Sequence, residues 1–150
     1  MALPGHGPCF VCGKDAGSLG LTLSVGGDNH LVSTATFGAA TQGPPGHVHG
    51  GCLAAVLDEL MGACAWTNGH QVMAVHLDFD YRAPVPIGVP IAFEAWLDVV
   101  GERKVETRGK ATLPDGRIAT ESHGVFARMP EHLVSQALQQ ISSAWSPAKS

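Results

Sequence analysis

The residues best suited to chemistry lie in one short stretch, where a carboxylate interrupts an apolar segment. From Gly50 to Trp66 the sequence is apolar or glycine almost throughout, and its only charged residues are Asp58 and Glu59. A helix that is apolar nearly all round is buried on most of its circumference. A carboxylate there is costly unless it is hydrogen-bonded or has a task, so Asp58 is our first candidate for a catalytic residue. Glu59 points about 100° further round the helix, and we interpret it as a structural or rim carboxylate.

The start of the same segment, His49-Gly50-Gly51, offers a second chemical feature. The first amides of a helix lack intrahelical partners and lie at the positive end of the helix dipole, so they stabilise an oxygen that acquires negative charge. Glycine has no side chain and lets the backbone approach a bound group closely. The alternative interpretation is that Gly50 and Gly51 only relieve crowding where the chain enters the helix.

Cysteine and histidine near the N-terminus raise the question of a metal site. His6, Cys9 and Cys12 have a spacing that suits a metal ion, but a closed zinc site needs about four ligands and a second C-x-x-C pair is missing. We therefore interpret them as reduced thiols and a histidine in an N-terminal loop, and expect no metal and no other cofactor. With Cys52 and Cys64 inside the apolar segment and no secretion signal, a disulfide framework is not expected.

Length and composition set limits on the class of protein. The 150 residues, 45% of them apolar, predict one globular domain over 1–150. The net charge of −4, without lysine and arginine interleaved with aromatic residues, argues against nucleic acid as a partner. We found no basic segment followed by an apolar run at the start, and no stretch of about 18 apolar residues. A cytoplasmic protein without membrane contact is therefore expected.

Glycine and proline divide the chain into short strands and one long helix. Leu19 to Val25 and His30 to Phe37 have strand-like sequences, and Gly26-Gly27-Asp28-Asn29 between them predicts a hairpin turn. A loop rich in proline and glycine, Thr41 to Gly46, precedes the helix. We expect an N-terminal loop over about 1–18, a core over about 19–129 and a terminal helix over about 130–144, where Leu133, Ala137 and Ile141 recur at helical spacing.

Four runs with alternating apolar and polar residues follow the long helix, which is the pattern of an antiparallel meander. They are Val72 to Arg82, Val89 to Val100, Arg103 to Leu113, and Arg117 to Arg128. In the first run, one face carries Val75, Leu77, Phe79 and Tyr81, and we expect this face to lie on the helix. One buried helix and a sheet long enough to curl around it predict an α+β architecture, the hotdog fold.

The segment from His47-Val48-His49-Gly50-Gly51 to Asp58-Glu59 resembles the PaaI-like hotdog thioesterases. Their signature is a G-x-V-H-G-G segment that opens the central helix, with an acidic residue two turns inside it. The resemblance extends from about Cys9 to Met129. It includes Cys9-Phe10-Val11-Cys12-Gly13, Gly20-Leu21, Gln42-Gly43, Tyr81-Arg82-Ala83-Pro84-Val85-Pro86, Asp115-Gly116 and Phe126. H-G-G alone recurs by chance, whereas the ordered set is specific.

The resemblance implies hydrolysis of an acyl-CoA thioester, with coenzyme A as part of the substrate. Such a reaction needs a nucleophilic water and a place for the negative charge on the carbonyl oxygen. By the resemblance, Asp58 is the catalytic acid residue and the Gly50 amide the oxyanion donor. Gly51 allows close approach, and His49 orients the loop or the thioester. Activation of water is our preferred role for Asp58, and direct attack to give an anhydride stays open.

Helix geometry predicts an assembly. Asp58 lies eight residues beyond Gly50, which is about 12 Å along the axis at the usual helical rise. Both groups cannot reach one thioester, so we infer that the amide of one subunit faces the carboxylate of another. The chain is expected to form a dimer or a dimer of dimers, as the family does.

Substrate contacts are less defined. Coenzyme A carries phosphates that need cationic partners. The resemblance suggests Arg82, beside Asp80 at the end of one strand, and Arg103 with Lys104 at the start of another. Solvated charges at strand ends look the same in sequence, so both interpretations stay open.

The sequence departs from its relatives at Ala74, where a Ser or Thr often helps to hold the water or the substrate. His76, two residues along the strand, is one replacement, and a surface or interface histidine is the other interpretation. Gln42 is a second candidate for binding the water, or else an ordinary loop amide.

Two other functions compete with hydrolysis. The central helix of a hotdog enoyl-CoA hydratase resembles this one, but it carries a histidine five residues after the aspartate, where this chain has Ala63. A non-catalytic acyl-CoA-binding protein keeps the pocket but lacks the acid and usually gains a DNA-binding segment. Asp58 is present here, and no helix-turn-helix has room ahead of Cys9. The acyl group itself stays open, since Trp66, Trp96 and Phe93 suit either a pocket or the core.

Overall fold

The computed structural model describes residues 1–139 of the chain. Its two helices are α1, Gly50–Thr67, and α2, Glu131–Leu138. The strands are β1 Ser24–Val25, β2 Leu31–Thr36, β3 Val72–Tyr81, β4 Pro90–Val100, β5 Lys104–Thr112 and β6 Ile118–Arg128. Short 3-10 turns occupy Gly27–Asn29 and Ala39–Thr41. No helix in the described part of the chain is both long enough and apolar enough to cross a membrane.

All six strands form one antiparallel sheet in the order β1-β2-β4-β5-β6-β3. The sheet curls around α1, which contacts β2, β3, β4, β5 and β6. This arrangement is the hotdog fold, as the sequence predicts.

The core lies between α1 and the concave face of the sheet. Helix residues Val56, Leu57 and Leu60 are fully buried, and Ile91 and Phe93 meet them from β4. Complete burial of one such side chain contributes roughly 1.5–3 kcal/mol, so the helix is held to the sheet by its own apolar circumference. A polar residue can stand on this helix only where the sheet leaves a gap.

The predicted hairpin is partly wrong. Only Ser24–Val25 pairs with β2, because the preceding residues bond to the N-terminal loop instead. The amides of Leu19 and Leu21 donate to the carbonyls of Phe10 and Val11. In the turn, the positive φ angles belong to Asp28 (54°) and Asn29 (59°), not to the glycines.

The expectation that one apolar face of β3 lies on the helix is also partly wrong. Leu77 and Phe79 pack against the core, but Val75 and Tyr81 are 56% and 53% exposed. The register of β3 against β6 shifts between Ala74 and His76, so Val75 has no partner across the ladder. This bulge interrupts the alternation, and β3 lies at the edge of the sheet where nothing covers its far side in the described chain.

Helix α2 follows Pro130 as expected, and Leu133 and Ala137 are half-buried. The predicted end of this helix, including Ile141, lies outside the described residues.

Candidate active site

The first turn of α1 is organised by the imidazole of His49. His49 is the N-cap residue, and its Nδ1 accepts a hydrogen bond of 2.8 Å from the Gly51 amide. The carbonyl of His49 accepts the next amide, from Cys52, at 2.9 Å. Among residues 1–139, the Gly50 amide donates no hydrogen bond. It is therefore the first free donor at the positive end of the helix.

The absence of a side chain at Gly51 gives this cap room. A Cβ atom at position 51 would lie 3.0 Å from the His49 Nδ1, which is too close for an undisturbed imidazole. The second member of the Gly-Gly pair therefore makes room for the capping ring. From the other side, the Tyr81 hydroxyl donates a hydrogen bond of 2.7 Å to the Gly50 carbonyl and fixes the end of β3 against the helix.

The loop before the helix is held by its own hydrogen bonds. The side-chain oxygen of Gln42 accepts from the Gly46 amide at 3.0 Å, and the His49 amide donates to the Thr41 carbonyl at 2.7 Å. Gln42, His49 and Gly51 line a cavity of about 530 Å³, which we call the helix-start cavity. Gly50 lies between two residues that line it.

Asp58 lies in a second cavity, of about 270 Å³, which we call the Asp58 cavity. The carboxylate is half-buried, and within the described chain it has no hydrogen-bond or ion-pair partner. Burial raises the pKa of Asp58, and the neighbouring negative charge of Glu59 raises it further. The walls are mostly apolar and include Trp66, Val72, Met73, Ala74 and Phe126.

Glu59, unlike Asp58, has several side-chain partners. Its Oε1 lies 2.8 Å from the Nε2 of His6, and it accepts from the thiols of Cys12 and Cys9 at 3.4 and 3.5 Å. Burial raises the pKa of Glu59, but the hydrogen bonds and the charge of His6 outweigh burial, so the net pKa is lowered. Adjacent carboxylates thus have different environments, one paired and one unpaired.

The helix start and Asp58 do not meet within one chain. Asp58 lines one cavity, whereas His49 and Gly51 line another. Asp58 lies eight residues beyond Gly50, which is about 12 Å along the axis of α1.

The residues expected to contact coenzyme A lie apart from each other. Arg82 forms two hydrogen bonds to the same oxygen of Glu121, at 3.0 and 2.7 Å, so its guanidinium is already engaged. Asp80 is exposed on β3, two residues away. Arg103 and Lys104 are exposed where β5 begins, beside the end of β6 and so at the opposite end of the strands from Arg82.

His76 is not a wall of the Asp58 cavity, whereas Ala74 is. The bulge between these two residues ends the shared strand face that their spacing predicts. The imidazole of His76 is 63% exposed and lies 3.3 Å from Asp78.

Sequence reasoning missed several residues of the site. Phe126 and His6 also line the Asp58 cavity, and the Tyr81 hydroxyl supports the helix start. The sequence left the roles of three aromatic residues open. Trp66 lines the Asp58 cavity, and its Nε1 donates a hydrogen bond of 2.9 Å to the Val72 carbonyl. Phe93 lies in the core, and Trp96 stacks on His30. Only the run of Tyr81 with Arg82 and Pro84 pointed to a role for the end of β3.

Known proteins resemble this chain in both sequence and fold. A model of the thioesterase superfamily matches residues 45–120. The acyl-coenzyme A thioesterase THEM4 of Xenopus laevis is 32% identical over 103 residues, which cover 68% of this chain and 46% of that protein. The solved structure of protein RHA08564, a thioesterase superfamily protein, matches with a TM-score of 0.72 at 32% identity, covering 74% of this chain and 55% of that one.

The PaaI protein of E. coli, from the phenylacetic acid degradation operon, matches with a TM-score of 0.64 at 18% identity and shares the fold. This match covers 67% of the chain and 73% of PaaI. Because the family model covers the central helix and most of the sheet, the chain belongs to the thioesterase superfamily. It spans less than half the length of the curated frog relative.

Proposed function

We propose that this chain hydrolyses acyl-CoA thioesters, with Asp58 as the general base and the Gly50 amide as the oxyanion donor. The observation that carries the proposal is the half-buried, unpaired carboxylate of Asp58 in a cavity with mostly apolar walls. Membership of the thioesterase superfamily and the name of the frog relative, an acyl-coenzyme A thioesterase, support the substrate class.

The chemistry follows from these two groups. Asp58 takes a proton from a water molecule as the water oxygen attacks the thioester carbonyl. Negative charge develops on the carbonyl oxygen, and the Gly50 amide at the helix start stabilises it. When the tetrahedral intermediate collapses, the carbon–sulfur bond breaks and the proton held by Asp58 passes to the departing thiolate. The products are the free acid and coenzyme A.

The two groups come from different subunits in this proposal. They are about 12 Å apart along one helix, and Asp58 lines a different cavity from His49 and Gly51, so one chain cannot apply both groups to the same carbonyl. A symmetric dimer in which the helix start of one copy faces Asp58 of the other gives two complete sites. His49 then orients the helix start, and its cap on Gly51 keeps the Gly50 amide available.

The acyl group occupies the Asp58 cavity in this proposal. Trp66, Val72 and Phe126 give that cavity an apolar surface suited to an acyl chain or an aryl group. Ala74 adds no hydroxyl beside Asp58, so the nucleophilic water is held by the carboxylate and by groups of the partner copy. Lys104 and Arg103 are exposed cations available for the nucleotide phosphates, whereas Arg82 would first have to leave Glu121.

The test is turnover by Asp58→Asn across a panel of acyl-CoA esters, followed by release of the free thiol. We expect kcat to fall roughly a hundred- to ten-thousand-fold, because a positioned base contributes about that factor. Binding of a non-hydrolysable acyl-CoA thioether is expected to stay within about threefold of wild type, since the substitution keeps the shape of the side chain.

The matched control is Asp98→Asn, an exposed aspartate paired with Arg108 on the sheet, which is expected to keep wild-type turnover. Wild-type rates in Asp58→Asn would refute the base assignment. Hydration of an enoyl-CoA without hydrolysis would identify a hydratase, and tight binding without turnover by the wild-type chain would identify a binding protein.

A further inference from the structure

Four side chains with metal-binding atoms converge where the N-terminal segment crosses α1. They are His6, Cys9, Cys12 and Glu59, and one ligand atom from each lies within 4.8 Å of the others. The first three come from one short stretch of chain, and Glu59 comes from the helix some fifty residues later. The sequence argument against a metal site was the missing fourth ligand, and Glu59 occupies that position.

Three of the four contacts between these ligand atoms lie close to the edge length of a zinc tetrahedron. Bonds of about 2.3 Å to sulfur and about 2.0 Å to nitrogen and oxygen give ligand-to-ligand edges of roughly 3.3–3.8 Å. The Cys12 Sγ lies 3.2 Å from the His6 Nε2 and 3.4 Å from the Glu59 Oε1, and the Cys9 Sγ lies 3.5 Å from the same oxygen. The edge from His6 to Glu59 is shorter, at 2.8 Å.

The turn that carries the cysteines is built to point both sulfurs inward. The Gly13 amide donates to the Cys9 carbonyl at 2.9 Å, and the Cys12 amide lies 3.5 Å from the Cys9 Sγ. A Cβ at position 13 would lie 2.3 Å from the Cys9 carbonyl oxygen, so this tight turn requires glycine. The turn therefore holds the Cys9 and Cys12 sulfurs on the side that faces Glu59.

We propose that His6, Cys9, Cys12 and Glu59 bind one Zn²⁺ ion that fastens the N-terminal segment to α1. Two sulfurs and an imidazole select zinc over calcium or magnesium, which prefer sets of oxygen ligands. Four protein ligands close the coordination shell and leave no position for a water, so the site is structural. His6 and Glu59 also line the Asp58 cavity, so the ion fixes one wall of that cavity.

The competing arrangement is an ion pair between His6 and Glu59 with two thiols beside it. The two arrangements differ in what they require of sulfur. A zinc site loses two of its four ligands when both cysteines become serine, whereas the ion pair at 2.8 Å keeps both of its members.

The experiment measures metal content of the full chain, purified reduced and without chelators. We expect about one Zn²⁺ per chain by elemental analysis. After removal of the metal, titration with Zn²⁺ alone should give a dissociation constant tighter than roughly 10⁻⁷ M. Co²⁺ in place of Zn²⁺ should give the thiolate charge-transfer and tetrahedral absorption bands, which do not depend on any variant folding.

Cys9→Ser with Cys12→Ser should abolish stoichiometric zinc binding, and His6→Ala should weaken it at least tenfold. The matched control is Cys52→Ser, a half-buried thiol on α1 away from the cluster, which should keep one ion per chain. Binding below about 0.1 ion per chain by the wild-type protein, absence of the Co²⁺ bands, or equal loss in the Cys52→Ser control would overturn the proposal.

Discussion

At the scale of single residues, α1 is capped by the imidazole of His49, which is larger than the usual N-cap side chains. N-cap positions are usually occupied by Ser, Thr, Asp or Asn, whose side chains reach an amide two or three residues later. His49 reaches the Gly51 amide at 2.8 Å instead. Its larger ring fits because position 51 has no side chain, and the Gly50 amide stays free in the described chain.

We predict that Gly51→Ala displaces the imidazole of His49 and weakens both the cap and the reaction. The added Cβ would lie 3.0 Å from the Nδ1. Loss of a cap costs about 0.5–2 kcal/mol of stability, to be measured by urea unfolding. If the Gly50 amide holds the oxyanion, kcat should fall at least tenfold in the same variant.

The control for this variant is Gly38→Ala. Gly38 has a φ of −100°, and a Cβ added at this position would have no neighbour within 4 Å. An unchanged kcat in Gly51→Ala, with stability equal to that of the control, would show that the cap does not organise the site.

The chemistry of individual residues was partly readable from sequence. A carboxylate in an apolar helix predicted that Asp58 sits in an unusual environment, because the cost of burial follows from the neighbouring side chains alone. The partners of Glu59 were not predictable, since His6 approaches it only after the chain folds. Residue spacing in the N-terminal segment indicates the candidate metal ligands on that segment. It cannot indicate a ligand such as Glu59, which lies on another element.

At the scale of elements, the edge strand β3 is held to the sheet partly by charges on its outer face. His123 on β6 lies between two carboxylates, with its Nδ1 2.9 Å from Asp78 on β3 and its Nε2 2.9 Å from Glu106 on β5. The pKa of His123 is raised, above all by its hydrogen bond to Asp78 and also by the one to Glu106. Burial and the charge of Arg108 lower the pKa but do not cancel this increase. His76 also faces Asp78, at 3.3 Å.

We predict that this contact makes stability depend on pH in a definite direction. Because folding raises the pKa of His123, its contribution is fully present below the unfolded value of 6.5 and is lost as pH rises through the folded value. His123→Gln should lower the free energy of unfolding by about 1 kcal/mol or less near pH 6, and by less near pH 8. Chemical unfolding at both pH values measures this difference.

His47→Gln serves as the control, because His47 contacts the Pro45 carbonyl rather than a carboxylate. The prediction fails if His123→Gln loses the same stability at both pH values, or if the His47 variant shows the same change with pH.

Most strand and helix limits were predictable, and the failures share a cause. Alternation placed β4, β5 and β6 within one residue of their ends, because each has one buried and one exposed face. Residues 19–23 alternate as well, yet they bond to the N-terminal loop, a choice between partners that local sequence does not encode. The bulge at Val75 is likewise a property of the pairing with β6.

At the scale of the whole molecule, the sheet ends in an open strand edge. In the described residues β3 pairs on one side only, with β6. Met73, Val75 and Tyr81 are apolar side chains about half exposed on this strand. Open strand edges with exposed apolar residues are usually protected or paired, so we expect the dimer proposed above to use this edge.

The most direct test of a site shared between copies is complementation between two inactive variants. Asp58→Asn removes the base. Gly50→Val introduces a side chain whose Cβ would lie 3.3 Å from the Tyr81 ring. Each variant alone should be nearly inactive. In a mixed dimer, one of the two composite sites has both its Asp58 and its Gly50 intact.

The measurement is acyl-CoA hydrolysis by mixed dimers, isolated with two different affinity tags and verified by mass spectrometry. We predict about half of the wild-type rate per dimer, because one of two sites is complete. Mixed dimers no more active than the two parent variants would contradict the shared site.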